Sequence, residues 1–452
     1  MVNSLKRRGK NFVLVEYDPG DARMRNKLQL SQLFKSDVVS NHLYYEINDS
    51  NICLVEMRSF SSIRKPIKKS LGLDDCNRFI SISRSMDVSR DHNSIGNELI
   101  FSDFESNRQF LDYLLKNCLM SELGVKLRFY LISCLEQILC QRMFRNYELF
   151  PFGSSVNGFG SDESDLDLIL WPKNSKPYSG DCDQRSSFFD YYSFDPKNNR
   201  SWIYSAAQTL ELSGSFEKIF RIPRARIPII KFDSVLTGIK CDLSICQDTA
   251  NNGVMMARLL FTLSVINPVV RELVIFLKLW ARKQEITQDN PGHYITNFML
   301  IVFIISFLQT RRNPILPPIK HLGIVPKTEL VNFKSVTYKN SMFEALIPEF
   351  FHFISNFDFN TKGLSIYHGN VVKKDVSDPL YAENPLERHL NICRNVSDYE
   401  LNRFIEQSEE ALRTLKNERN LLLLFKTENS DLKLSTRKRF LVKDILSDDE
   451  KD

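Results

Sequence analysis

The clearest chemical signature in the chain lies in one short stretch, PFGSSVNGFGSDESDLDLIL at positions 151–170. Residues two apart in a β-strand point to the same side. The segment DLDLIL therefore predicts that Asp165 and Asp167 share one face while Leu166 and Leu168 enter the core. Two carboxylates on one face repel each other unless a cation neutralises them, and hard oxygen ligands of this kind suit Mg²⁺ or Mn²⁺. The spacing predicts a divalent metal site.

A third carboxylate and a loop extend this candidate site. Asp242 lies between apolar residues in the strand-like IKCDLSI, an unusual place for a charge, and we predict that it completes a metal-binding triad. Gly153 and Ser154 follow the strand-like YELFPF and offer backbone N–H groups and a hydroxyl to phosphate oxygens. No Gly-Lys-Ser/Thr follows, so this is not a Walker A loop. A DxD pair on an exposed strand face is common by chance, and the combination of features is what favours metal and phosphate chemistry.

Composition bounds the class of protein. A chain of 452 residues is too long for one ordinary core, so two or three domains are expected. The net charge is only +5, from 60 basic and 55 acidic side chains, so a polyanionic partner would have to meet local basic patches. The nine cysteines are odd in number and form no CxxC pair, which indicates reduced thiols in an intracellular compartment rather than disulfides or a zinc site.

Targeting and membrane signals are weak. The longest apolar run, FMLIVFIISFL at Phe298–Leu308, is shorter than a bilayer span and predicts a buried helix, so no membrane partner is expected. The start, MVNSLKRRGK, is basic, but strand-like sequence follows almost at once and no full transit peptide is visible.

Residues 8–95 predict an N-terminal module that resembles an RNA-recognition motif. NFVLVEY reads as a strand, ARMRNKLQLSQLF as a helix, HLYYEI and ICLVEM as a hairpin, and a further helix and the strand RFISIS complete the order βαββαβ. Aromatic rings on the third strand usually stack RNA bases in that fold. Ile52, Leu54 and Met57 stand there instead. We therefore favour a packing or dimerisation module, with RNA stacking as the alternative.

The rest of the chain predicts an α+β multidomain protein. Residues 105–148 have helical spacing and are assigned to the helical domain, and 149–250 form a palm with a mixed sheet, interrupted by a long loop at 172–200. Helical patterns then dominate residues 251–425, which predicts an all-helical domain. The charged tail, 426–452, predicts disorder.

Gly153-Ser154, Asp165-x-Asp167 and Asp242 together resemble the nucleotidyltransferases of the polymerase β type. The segments ELFPFGSSVNGFGSDESDLDL, YITNFMLIVFIISFLQTRRNPILP, EFFHFISNFDFN and NPLERHLNICRNVS occur in that order. With the N-terminal module, they resemble the non-templated branch that includes the mitochondrial poly(A) polymerases. The resemblance implies a palm followed by a PAP-associated domain, and catalysis by Asp165, Asp167 and Asp242 through bound Mg²⁺ or Mn²⁺. It also implies ATP and RNA 3′ ends as substrates, a homodimer formed through the N-terminal module, and the mitochondrial matrix, with the cytoplasm as the alternative.

The resemblance also implies a nucleotide site. Its predicted members are Gly153, Ser154, Ser164, Lys278, Arg282 and Phe298. Lys278 and Arg282 lie four apart and so share a helix face, which would carry cations for the triphosphate unless it is an ordinary solvated face. Phe298 stands where relatives carry a tyrosine that stacks on the base.

Three features leave the choice of nucleotide and the RNA path open. Met256 stands where many related enzymes have an asparagine that contacts the ribose, and Asn251 or Asn252 could take over that contact. His389 lies one residue from the position of a uridylyl-selecting histidine, where Leu390 stands, so ATP is the first choice and UTP the second. The cations predicted to meet RNA are Arg221, Arg224 and Arg226.

The sequence therefore predicts an RNA 3′-terminal adenylyltransferase. The alternatives are a terminal uridylyltransferase of the same fold, a catalytically silent scaffold and an enzyme that modifies a small molecule.

Overall fold

The computed structural model describes most of the chain. The described residues are 2–17, 39–47, 50–59, 79–82, 104–141, 143–173, 201–225, 227–245, 253–288, 292–322, 336–425 and 441–442. They form two five-stranded sheets and a largely helical region.

The N-terminal sheet follows a short helix. The elements are α1 (Val2–Gly9), β1 (Phe12–Tyr17), β2 (Val39–Ile47), β3 (Ser50–Met57) and β4 (Phe79–Ile82). β2 and β3 form the predicted antiparallel hairpin, β3 pairs with β1, and β4 runs parallel to β1. The predicted helices of this module lie outside the described residues. Ile52, Leu54 and Met57 are buried, because β3 is covered on both faces, and this burial leaves them no room to stack bases.

Helix α1 was not expected from the sequence, which indicated a strand almost at once. Lys6 on this helix lies 2.8 Å from Glu136 Oε1 and 3.2 Å from Glu148 Oε2. A Cβ at Gly9 would lie 2.7 Å from the carbonyl carbon of Phe129. The N-terminal helix thus contacts the segment 129–148, which leads into the second sheet.

The segment 105–148 divides between two cores. Helix α2 (Asn107–Cys118) buries Phe110, Leu111 and Leu114 in the helical region, as predicted. Helix α3 (Glu122–Leu135) instead packs between the two sheets, so assigning the whole segment to the helical domain is wrong. The chain changes core at Ser121, whose hydroxyl accepts from Gly124 N and starts a new helix.

The second sheet has the mixed topology predicted for a palm. Its elements are β5 (Tyr147–Phe152), β6 (Leu166–Pro172), helix α4 (Ser201–Leu212), β7 (Phe216–Ile222), β8 (Ile229–Ser234) and β9 (Lys240–Ile245). The strand order is β5-β6-β9-β8-β7, and only β6 and β9 are parallel. The sequence analysis did not predict α4 or β7. Most of the predicted loop 172–200 lies outside the described residues.

The remaining region is helical with one hairpin. The helices are α5 (Gly253–Ile266), α6 (Pro268–Lys283), α7 (Asn297–Thr310), α8 (Met342–Ser355) and α9 (Asp398–Asn417). The hairpin of β10 (Lys362–Ser365) and β11 (Asn370–Lys373) shows that the all-helical prediction is wrong. Gly369, with φ +70°, provides the left-handed residue at its turn. Among the described helices, none alone has the length and apolarity of a membrane span, while α5 and α6 would meet that test together but bend by 114°.

The predicted disorder of 426–452 does not hold at its centre. Residues Leu441–Val442 form a short strand, β12, that pairs antiparallel with β2. The open edge of β2 provides the unpaired backbone groups that recruit this segment.

Candidate active site

The predicted carboxylates meet in one row across the palm sheet. Phe152 on β5 is opposite Asp167 on β6, Asp167 is opposite Asp242 on β9, and Asp242 is opposite Lys231 on β8. Residues directly opposite each other on paired strands point to the same face. Asp165 lies one residue before β6 and is exposed. The fold therefore brings Asp167 and Asp242 together on a face that stays accessible.

The carboxylates interact strongly with one another. Burial, followed by the charges of Asp242 and Asp165, raises the pKa of Asp167 to about 7. Lys231 Nζ donates to Asp242 Oδ2 at 2.6 Å. Desolvation acts to lower the pKa of Lys231, but the hydrogen bond to Asp242 and the three aspartate charges outweigh it, and the pKa is raised. Negative charge thus exceeds positive charge at this point of the sheet.

The chemistry of this group fits a divalent cation. All three side chains offer hard oxygen donors, and their mutual repulsion is the kind that a bound cation relieves. Among the residues that the structure describes, no group of three or more Asp, Glu, His or Cys side chains is already arranged to hold a metal ion. Lys231 binds one oxygen of Asp242, which leaves the other carboxylate oxygen to an ion. The sequence analysis missed Lys231 because its position depends on strand register.

Gly153 permits the loop to pass close to the carboxylates. It ends β5 with φ +64° and opens a 3₁₀ turn through Ser155. A Cβ at this position would lie 2.9 Å from Asp167 Cγ and nearer still to Oδ2. Ser154 is half-buried in the same turn, and Ser155 Oγ donates to the Asp165 carbonyl at 3.1 Å. The glycine therefore lets the loop backbone and a candidate metal ligand occupy adjacent space.

A buried arginine holds the loop that precedes β6. Arg128 on α3 is 1% exposed. It donates to five oxygens, which belong to Ser155 Oγ (3.2 Å) and to the carbonyls of Gly124 (3.2 Å), Ser161 (3.5 Å), Asp162 (3.0 Å) and Ser164. The Ser164 hydroxyl accepts from Ser161 N at 3.0 Å, so Ser164 also shapes the loop. The sequence analysis missed Arg128, although two cations, Lys126 and Arg128, in the otherwise apolar run VKLRFYLISCL were a usable signal.

Lys278 reaches the same loop from the helical region. Its Nζ donates to the Phe159 carbonyl at 2.9 Å. Burial, followed by the charge of Arg282, lowers the pKa of Lys278 to about 8. Arg282 lies one turn further along α6 and is exposed. A cation held at reduced pKa beside a phosphate-type loop is suited to an anionic ligand.

The family model for the central palm domain of mitochondrial-like poly(A) RNA polymerase matches residues 108–263. Residues 108–263 belong to this palm-domain family. The mouse mitochondrial poly(A) RNA polymerase is 32% identical over 344 residues, which cover 71% of this chain and 57% of the relative. The human enzyme is 31% identical over 338 residues, which cover 70% and 56% respectively. The chain thus spans a little over half the length of the curated relatives that it matches.

Solved structures share the fold over nearly the whole chain. The apo crystal structure of mtPAP has a TM-score of 0.78 and 23% identity, and the match covers 94% of this chain and 96% of that one. The complex of mtPAP with UTP matches with the same TM-score and identity, covering 96% and 98%. At this level of identity the likeness shows the fold, and the α+β prediction is confirmed.

The other predicted nucleotide contacts lie in the helical region. Phe298 is half-buried in the first turn of α7, which Thr296 caps. Met256 is half-buried on α5, and His389 is exposed in a turn. Asn251 and Asn252 lie outside the described residues.

The predicted RNA cations are not arranged as one group facing the carboxylates. Arg221 is opposite Ile230, a fully buried residue, and therefore belongs to the other face of the sheet. There it pairs with Glu211 on α4 and lies over the Tyr204 ring at 6.0 Å. Arg224 is exposed in the turn after β7, and Arg226 lies outside the described residues. Arg221 was chosen because it lies near Asp242 in the sequence, but the alternation of side chains along β7 places it on the opposite face of the sheet.

Proposed function

We propose that this chain transfers AMP from ATP to the 3′-hydroxyl of RNA without a template. The observation that carries this function is the row of Asp167 and Asp242 on an accessible sheet face, with Asp165 beside it and the Gly153 loop against it. The names of its relatives as poly(A) RNA polymerases support the same reaction. A terminal uridylyltransferase of the same fold is the second candidate.

Each part of the site has a role in this reaction. Mg²⁺ or Mn²⁺ ions bound to the three aspartates would activate the attacking hydroxyl and neutralise the triphosphate. Lys278 and Arg282 bind phosphate oxygens from α6, with Ser154 on the loop side. Phe298 stacks on the base, a contact that tolerates any nucleobase ring and so gives only modest preference for ATP.

Arg128 and Ser164 act by positioning the loop. The guanidinium binds five oxygens between Gly124 and Ser164, so the backbone leading into Asp165 is held in one arrangement. A pre-formed loop lowers the cost of bringing the carboxylates to their ligand.

The proposals for location and assembly rest on different observations. We infer a mitochondrial location from the names of the mouse, human and fly relatives. We also infer a homodimer formed through the N-terminal module, whose strand β4 lies at an edge of the described sheet, since such edges can pair with a second copy. Sedimentation of the full chain, with and without a Pro substitution at Ser81 on β4, tests that assembly.

An extension assay with labelled oligo(A), Mg²⁺ and each ribonucleotide in turn tests the reaction. A ladder with ATP that exceeds the ladder with UTP is expected. Asp167→Asn, which removes the charge and keeps the shape, should lower extension by several orders of magnitude. Asp375→Asn, a change at an exposed aspartate beside β11, is the matched control and should extend normally.

The outcomes separate the candidates. A strong preference for UTP would establish the uridylyl alternative, and no product with any nucleotide would establish a silent scaffold. Full tails from Asp167→Asn would refute the triad.

A further inference from the structure

The row of side chains that contains the carboxylates continues onto the edge strand of the palm. Phe220 on β7 is opposite Lys231 on β8, and Lys231 is opposite Asp242. Phe220 therefore points to the same face as Asp242 and Asp167. Neighbouring strands lie about 4.8 Å apart, so Phe220 is about 10 Å from Asp242 along the row. Its side chain is 62% exposed. An accessible aromatic ring thus stands two strands from the candidate metal ligands.

A β-bulge determines which residue of β7 takes this place. Glu217 is opposite Asp233, and regular pairing from there would set Ile219 opposite Lys231. The register shifts between Glu217 and Phe220, so Phe220 takes that position instead. Lys218, inside the shift, has φ +50°, a left-handed conformation that is uncommon for a side chain other than glycine. Without the bulge, Phe220 would face α4 rather than the carboxylates.

Charges hold the strained residue in place. Lys218 Nζ lies 3.1 Å from Asp233 Oδ2 and 3.4 Å from Glu217 Oε1. Lys231, whose side chain is 47% exposed, contributes a cation between Phe220 and Asp242. Aromatic ring, ammonium and carboxylates thus follow one another across the open face. Arg221, by contrast, is paired on the opposite face.

We propose that Phe220 is the stacking platform for a base near the 3′ end of the RNA primer. An aromatic ring stacks on any base, and such stacking combined with a cation beside the backbone is how proteins hold single strands without reading sequence. The distance of about 10 Å from Asp242 corresponds to about three stacked nucleotides at 3.4 Å each. The bulge at Lys218 then sets the position of the primer relative to the metal ligands. This role depends on the RNA-tailing activity proposed above.

Fluorescence of 2-aminopurine, which falls when the base stacks, tests this role. The full-length chain is mixed with oligo(A) that carries 2-aminopurine at the first, second, third or sixth position from the 3′ end, without nucleotide. Quenching by the wild type is expected to peak near the third position. Phe220→Ala should abolish that peak and raise the KM for primer about 5- to 150-fold, the range for loss of one base–aromatic stack. The KM for ATP should stay unchanged.

Three further variants isolate the ring and its position. Phe220→Tyr keeps the ring and should behave as the wild type. Tyr204→Ala removes an aromatic ring, 54% exposed, from α4 on the opposite face and should leave primer binding unchanged. Deletion of Lys218 would remove the bulge, pair Ile219 with Phe232 and leave Phe220 opposite Lys231, so it should bind primer as the wild type does if circular dichroism shows the fold intact.

Failure of this role is distinguishable from failure of the proposed function. A wild type that tails RNA while Phe220→Ala keeps its primer KM and its quenching would overturn the stacking platform and leave the tailing activity standing. If Phe220→Ala changes the sedimentation of the protein but not its RNA binding, β7 is a protein interface. That result would also overturn the stacking platform. A wild type that binds the probe but adds no AMP would refute the tailing activity instead.

Discussion

Substitution of Gly153 by alanine should damage the site in two separable ways. The backbone at Gly153 has φ +64°, where a residue with a Cβ costs about 1 to 2 kcal/mol. The new Cβ would also lie 2.9 Å from Asp167 Cγ, so the loop or the carboxylate has to move. Such overpacking destabilises the folded state by about 1 to 3 kcal/mol. We expect a loss of about 2 to 5 kcal/mol in the free energy of unfolding.

Gly214, in the turn between α4 and β7, is the matched control. Its φ is +66°, and a Cβ there would meet nothing within 4 Å. Gly214→Ala therefore carries the backbone cost alone, about 1 to 2 kcal/mol. The difference between the two variants measures the contact with Asp167.

Urea unfolding and kcat at saturating ATP and primer provide the two readouts. Gly153→Ala should lower kcat about 100-fold or more, because displacement of a catalytic group by about 1 Å has an effect of that size. Gly214→Ala should keep the kcat of the wild type. Equal losses of stability in the two variants, or normal turnover by Gly153→Ala, would refute the view that this glycine makes room for the carboxylate.

Three further predictions address the residues around the triphosphate, the loop and the base. Lys278 is charged below its pKa of about 8, so kcat/KM for ATP should fall as pH rises through 8. Lys278→Arg should remove that fall. A flat pH profile of the wild type would contradict the role of Lys278 in binding the triphosphate. Arg128→Met leaves buried carbonyl oxygens unpaired and should cost about 2 to 5 kcal/mol by urea unfolding, whereas the exposed Arg145→Met should cost little. Phe298→Ala should raise the KM for all four ribonucleotides by similar factors in steady-state assays, and a rise for ATP alone would indicate base reading instead of stacking.

The strands that carry the carboxylates could be predicted because local alternation encodes them. DLDLIL and IKCDLSI each show their charged residues on one face, and the resemblance to known enzymes then indicated that the two strands meet. Lys231 could not be found in this way, since its contact with Asp242 depends on which strands pair and in which register. Phe220 could not be found either, because a bulge of one residue determines which face of the sheet its side chain occupies.

Errors in the helical assignments have a different physical origin. The segment 105–148 shows continuous apolar spacing, but periodicity does not say which core a helix enters. The cap at Ser121 separates α2 from α3, and the bond from Ser121 N to Asp162 Oδ1 at 2.8 Å ties that break to the loop before β6. A second helix start in the sequence was thus the missed signal for a change of core.

The pairing of β12 with β2 has a consequence for the way this chain is synthesised. Leu441 and Val442 complete the N-terminal sheet by pairing with Glu46 and Tyr45, which leave the ribosome long before them. During translation the outer edge of β2 therefore lacks β12, its partner among the described residues, and exposed strand edges promote aggregation. The N-terminal sheet is complete only after β12 has been synthesised. Early termination, or a C-terminal fusion that blocks β12, would therefore leave the edge of β2 unpaired at the other end of the polypeptide.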